Sequence, residues 1–103
     1  MTSERRGTRR FALRLPLAVH LPDQPGPIDA ETKDVSARGV YFYLPDRVEQ
    51  GATLEFLLTL PPEITLTDNI QVRCRGRAIR VEHDQPNQRT GVAAIIDDYQ
   101  FLA

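Results

Sequence analysis

The sequence predicts an all-β domain of about six short antiparallel strands, closed as a small barrel or stacked as a sandwich. Three observations carry this. Apolar and polar residues alternate at a period of two in separate stretches, Phe11 to Leu21 and Ala52 to Leu60 foremost. Proline and glycine interrupt those stretches at short intervals, as in the Asp23–Pro27 loop and at Pro61 and Pro62. No segment carries the 3.6-residue apolar period of a convincing amphipathic helix.

The elements follow in order. Every odd position from Phe11 to Leu21 is apolar, which predicts one strand with one buried face. Pro16 lies on the other parity and marks an edge or a bulge. Ile28 to Val35 reads as a second, more polar strand, and Ser36 to Gly39 as a turn. Val40 to Leu44 is β-branched and aromatic, hence a third strand, followed by a loop that ends at Gly51. Ala52 to Leu60 is the fourth, and residues 63–69 carry no pattern. From Asn69 to His83 the apolar parity changes: Ile70, Val72 and Cys74 are even, Ile79 and Val81 odd. A β-bulge near Gly76 would produce that flip. A polar hairpin loop spans Asp84 to Arg89, and the last strand runs from Gly91 to Ile96. Asp97 to Ala103 reads as coil or the start of a short helix.

Composition narrows the function. At 103 residues and 41% apolar, the chain makes one small domain of modest stability. No apolar run is long enough to span a bilayer, and the N-terminus lacks the apolar stretch of a signal peptide. A single cysteine, Cys74, excludes an internal disulfide framework. Together these features predict a cytoplasmic protein without membrane insertion. A net charge of -1 argues against a general nucleic-acid coat.

That charge is unevenly placed. Arg5, Arg6, Arg9, Arg10 and Arg14 crowd the first fourteen residues. Residues 1–10 therefore read as a flexible, arginine-rich, ligand-binding arm ahead of a barrel domain over residues 11–103. Arginine suits phosphate because its planar fork donates two parallel hydrogen bonds and stays protonated, and it also stacks on bases. Arg6 and Arg10 stand four positions apart, so both can reach one anionic ligand. A complement follows in Asp34-Val-Ser36-Ala-Arg-Gly39. Asp34 and Ser36 face the same way on an extended segment while Val35 points to the core. Their oxygens are natural acceptors for guanine N1–H and N2–H, and Gly39 permits a positive φ or a close backbone approach. The same six residues also make an ordinary turn, with Asp and Ser bonded to nearby amides.

The chain resembles the PilZ domain family. The resemblance rests on Arg6-Gly-Thr-Arg-Arg10, on Phe11-Ala-Leu-Arg-Leu-Pro16 and on Asp34-Val-Ser36-Ala-Arg-Gly39. Arg75 to Arg80 and Gly91 to Ile95 look like the family's last strands. The resemblance implies a six-stranded antiparallel β-barrel and a bacterial cyclic di-GMP-binding sensor or adaptor rather than an enzyme. It implies that Arg6 and Arg10 hold phosphates and guanine faces, that Asp34 and Ser36 bind a guanine edge, and that Gly39 allows close approach. Pro16, six residues after Arg10, sets this register. Arg5 occupies the place of an extra arginine that accompanies two stacked ligands in the family. The output is a changed surface, read by an unidentified downstream protein or by a second protomer in a homodimer.

Other chemistry finds less support. His20 and His83 lack metal-ligand spacing, so neither a metal nor a cofactor is expected. Ser36 lacks a nucleophile elbow. Cys74 falls on the apolar parity and reads as a buried, inert thiol. Tyr41 and Tyr43 share a face near the proposed site, where they either stack on a base or cover the outside of the barrel. Two alternatives stand beside the cyclic di-GMP sensor. One is a ligand-independent PilZ-type interaction module. The other is a single-stranded nucleic-acid binder, disfavoured because the arginines cluster at the terminus and tryptophan is absent.

Overall fold

The computed structural model describes residues 10–102. Six strands, β1 (Pro16–His20), β2 (Ile28–Val35), β3 (Gly39–Leu44), β4 (Thr53–Leu60), β5 (Ile70–Asp84) and β6 (Arg89–Leu102), account for most of it. They close into one antiparallel barrel in the order β1-β2-β3-β6-β5-β4. The barrel, not the sandwich, is therefore realised. Residues 62–65, which carried no sequence pattern, make one helical turn, α1 (Pro62–Thr65), with none of its residues buried.

Alternation builds the core. Leu17 and Val19 of β1, Val40, Phe42 and Leu44 of β3, Leu54, Phe56 and Leu58 of β4, and Val72 and Cys74 of β5 all point inward. Phe42 and Phe56 meet across the interior at 6.2 Å between ring centroids. On the β5–β6 side the inward residues include the small Ala78 and Ala94, which pair directly across the two strands. Buried apolar surface of this kind supplies the main driving force for folding.

The first strand is shorter than its pattern. Only Pro16–His20 is strand, and Phe11 is about half exposed and joined to Val35 by an isolated bridge. The Leu13 amide donates to the Phe11 carbonyl, an i to i+2 closure that bends the chain out of the ladder. Pro16 then starts β1, where its missing N–H costs least.

The long ribbon departs from expectation twice. The buried parity of β5 stays even through Ala78, and the flip falls at Ile79, not at Gly76. Ala78 pairs with Ala94 and Arg80 with Ala93, so Ile79 is the inserted residue and is exposed. Near Gly76 the extra residue lies on the other strand: Arg75 pairs with Asp98 and Gly76 with Ile96, leaving Asp97 over. The reason Gly76 is glycine is proximity. A Cβ there would lie 1.8 Å from the Ile95 carbonyl oxygen.

The C-terminal segment is neither coil nor helix. Residues 97–102 continue β6, and 98–102 pair with Gln71–Arg75. Because β5 runs fifteen residues, its first half would otherwise have a bare edge, and extended pairing satisfies those backbone groups.

Gly76→Ala should lower the unfolding free energy by roughly 1–3 kcal/mol, because a fixed backbone oxygen has to move. Urea denaturation measures this, and a change within about 0.5 kcal/mol would mean that the two strands separate freely. Stability should also fall as pH rises above 9. Burial pushes the Cys74 thiol from 9.0 up to about 11. Burial, then the bond to Glu82, pushes Tyr41 from 10.0 up to about 12. The unfolded chain releases both protons at lower pH than the folded one, so alkali favours unfolding from pH 9 to about 12. Urea midpoints that stay level from pH 8 to 11 would contradict this.

Candidate functional site

The site begins with the entry of the chain into the barrel. The Phe11 amide donates to the Val35 carbonyl at 2.7 Å, and the Val35 amide returns to the Phe11 carbonyl at 2.9 Å. This reciprocal pair seats Arg10 beside Asp34 across twenty-four residues of sequence. Arg10 Nη1 donates to Asp34 Oδ1 at 2.5 Å. Thr32 holds the same segment from below. Its buried hydroxyl accepts from the Leu15 amide at 2.9 Å and donates to the Leu13 carbonyl at 2.5 Å.

Asp34 is available to Arg10 because β2 contains a bulge. Thr32 pairs with Phe42 and faces the core, yet Asp34 pairs with Tyr41 and faces outward. Lys33 is the inserted residue. Without it, strict alternation would turn Asp34 inward with Thr32. Val35, one position on, packs against the core as expected.

The turn after β2 is built around Ser36. Its hydroxyl accepts from the Arg38 and Gly39 amides at 3.2 and 3.1 Å, and the Ser36 amide donates to the Gly39 carbonyl at 2.8 Å. The Ile96 amide donates to the Arg38 carbonyl, tying the turn to β6. Gly39 needs no positive φ. A Cβ there would sit 2.4 Å from the Ala94 carbonyl oxygen, so glycine lets β3 and β6 approach.

Of the expected site residues, Arg10, Asp34, Ser36 and Gly39 thus gather at one end of the β2–β3 hairpin. Arg5 and Arg6 lie outside the described residues, as does Arg9. Ser36 follows the ordinary-turn reading in its hydrogen bonds, whereas Asp34 does not and is bonded instead to Arg10.

The outer face of the same hairpin carries residues that pattern reading had left undecided. Tyr41 is buried and donates from its hydroxyl to Glu82 Oε1 at 2.8 Å. Its ring crosses the space that Gly91 leaves open. Tyr43 carries the Arg89 guanidinium 3.6 Å from its ring centroid. Arg75, Arg77 and Arg80 of the ribbon are each ion-paired. Arg77 forks onto Asp97 with two bonds of 2.9 Å, holding that carboxyl below the usual range. Arg75 lies 3.8 Å from both Glu55 and Asp98. No three histidine, cysteine or acidic side chains cluster as a metal site among the described residues. No helix there is long and apolar enough to cross a membrane.

The PilZ domain model matches residues 4–99. The chain belongs to the PilZ domain family. PilZ domains are cyclic di-GMP-binding adaptor modules rather than enzymes, and they interact with partner proteins. Among solved structures, the chain is similar to the Bacillus subtilis inhibitor of motility, MotI/DgrA, with a TM-score of 0.77 at 18% identity. That match covers 95% of this chain and 45% of the other, so the chain spans less than half the length of that protein. It is also similar to the PilZ domain of CeSA from a cellulose-synthesizing bacterium, with a TM-score of 0.58 at 20% identity, covering 87% and 83% of the two chains. At these identities the likeness is one of fold. No curated protein matches the chain.

Thr32→Val tests how the arm is anchored. The isosteric change leaves the Leu15 amide and the Leu13 carbonyl without their partner, and should cost about 1–3 kcal/mol of stability. Hydrogen exchange at the Leu15 amide should quicken more than at the centre of β3. Unchanged exchange at Leu15 would show that the segment is held by other means.

Proposed function

We propose that this PilZ domain is a cyclic di-GMP sensor. In this reading residues 1–10 form the ligand-binding arm, with Arg5, Arg6 and Arg10 as its contacts, and Asp34, Ser36 and Gly39 receive the ligand on the barrel. The observation that carries the proposal is the Arg10–Asp34 ion pair at the base of the arm. It unites the two halves of the motif at one point on the barrel wall.

The pair also suggests how the ligand enters. Arg10 is half exposed and Asp34 about a quarter exposed. An exposed ion pair of this kind is worth about 0–1 kcal/mol. Charge-assisted hydrogen bonds from arginine to a phosphate are worth about 1.5–3 kcal/mol. A dianionic ligand therefore outcompetes Asp34 for Arg10. The freed carboxylate then accepts from a guanine N1–H and N2–H edge. Closing residues 1–10 over the ligand changes the charge and shape of this barrel face, and a downstream protein or a second protomer reads that change. Protein contacts, not catalysis, are the output. A cytoplasmic setting suits a second-messenger receptor with one buried, unpaired thiol.

A second reading has a specific observation behind it. Ser36 is satisfied by its own turn and Asp34 is already bonded to Arg10, so both described acceptors have protein partners without a ligand. A ligand-independent interaction module would look the same. The fold likeness to an inhibitor of motility is compatible with either reading.

Calorimetric titration with cyclic di-GMP separates them. Binding by the wild-type chain, weakened about ten- to a hundredfold by Arg10→Ala, is the expected outcome. Affinity should fall as salt rises, because the contacts are ionic and near the surface. Asp34→Ala should weaken binding with little change in the urea midpoint. Equal affinity in wild type and Arg10→Ala would remove the arm from the site, and no heat with the wild type would favour the interaction module.

A further inference from the structure

A groove of about 590 Å³ opens on the outer face of β2 and β3. Its walls include Arg14, Asp29, Glu31, Lys33, Tyr43 and Arg89. Three cations thus converge from three parts of the chain: the segment before β1, the β2 bulge, and the start of β6. The bulge that turns Asp34 outward also inserts Lys33 between Asp34 and the groove-lining Glu31. Lys33, on the groove wall, is thus the direct chain neighbour of the clamp residue Asp34.

Arg89 is held on that surface by two partners. Its Nε donates to Asp84 Oδ2 at 2.8 Å, and its guanidinium lies 3.6 Å from the Tyr43 ring centroid. Asp84 is itself held by Asn87 at 2.9 Å, and these bonds keep its carboxyl below the usual range. The plane of Arg89 is thus set by a ring beneath it and a carboxylate at its edge. The side chain is still 40% exposed. A guanidinium fixed on an aromatic ring, with its other face toward a groove, is a platform for stacking a base. Arg14 and Lys33 supply charge for phosphate. Glu31 and Asp29 are acceptors that match the N1–H and N2–H donors of guanine and find no such pair on adenine.

We propose that this groove is a second guanine subsite, with Arg89 stacked on Tyr43 as its platform. The inference rests on the cyclic di-GMP reading and extends it to residues outside the arginine arm and the turn. The second guanine comes either from the far half of the molecule held by Arg10 or from a second, stacked molecule. Stoichiometry distinguishes these sources, being one ligand per chain in the first case and two in the second.

The test is titration of the full chain with cyclic di-GMP, comparing wild type with Arg89→Ala, Arg89→Lys and Tyr43→Ala. Arg89→Ala and Tyr43→Ala should each weaken binding about tenfold, the range seen when a base loses its stacking partner. Arg89→Lys should restore little of this, because lysine keeps the charge and loses the plane. If two ligands bind to wild type, Arg89→Ala should reduce the stoichiometry to one. Tyr99→Ala, on the exposed far half of β6, is the control and should bind as wild type does. The Arg89 Nε–Hε resonance should shift on adding cyclic di-GMP to the wild type, a readout that needs no variant to fold. Wild-type binding that Arg10→Ala weakens, with Arg89→Ala unchanged and the resonance unmoved, overturns the groove and leaves the clamp standing. Full rescue by Arg89→Lys overturns the stacking role. Absence of wild-type binding overturns both proposals.

Discussion

A closed barrel of six strands has one inside, and every strand has to keep alternate side chains pointing into it. That parity constraint organises this protein. Where a strand obeys it, the residues are core: Leu17 and Val19, Val40 and Phe42, Leu54 and Phe56. Where a strand slips by one residue, a side chain is re-aimed. The slips at Ile79 and Asp97 bend the long β5–β6 ribbon, and Asp97 then takes the fork of Arg77. The slip at Lys33 turns Asp34 outward, where Arg10 meets it. The candidate site is thus a consequence of the same rule that builds the core.

Glycine serves that rule in an unexpected way. Gly39 and Gly76 look like conformational residues, but neither adopts a positive φ. Both stand where the backbone of β6 comes too close for a Cβ. Gly39 therefore has a structural task that is independent of any ligand. A motif position can satisfy the fold and the site at once, which is why a short sequence pattern is able to mark both.

The contacts around Arg10 differ in strength. The Arg10–Asp34 pair sits near the surface, where such contacts contribute little to stability. The backbone bridge of Phe11 to Val35 and the buried Thr32 hydroxyl anchor the segment from Phe11 to Leu15. Firm backbone anchorage at Phe11 and Thr32 thus stands beside a weak side-chain contact at Arg10. On the neighbouring face the balance is reversed, since Arg89 is held by both Tyr43 and Asp84.

The sequence by itself determined the all-β class, the six strands, the inward faces of β1, β3, β4 and the first half of β5, and the residue types of the motif. Alternation is a local signal, and a single chain displays it without any partner. Several boundaries were not legible. The pattern from Phe11 to Leu13 continued that of β1, although an i to i+2 closure takes those residues out of the ladder. Asp97 to Leu102 showed no strand pattern, and only the bare edge of β5 makes them strand. The flip after Cys74 was visible, but Gly76 attracted attention that belonged to Ile79, because register is a property of two strands. Tertiary structure alone decided that Lys33 bulges, that Arg10 rests on Asp34, and that Arg89 lies on Tyr43. Each joins residues far apart along the chain, and barrel closure brings them together where no local pattern records the contact.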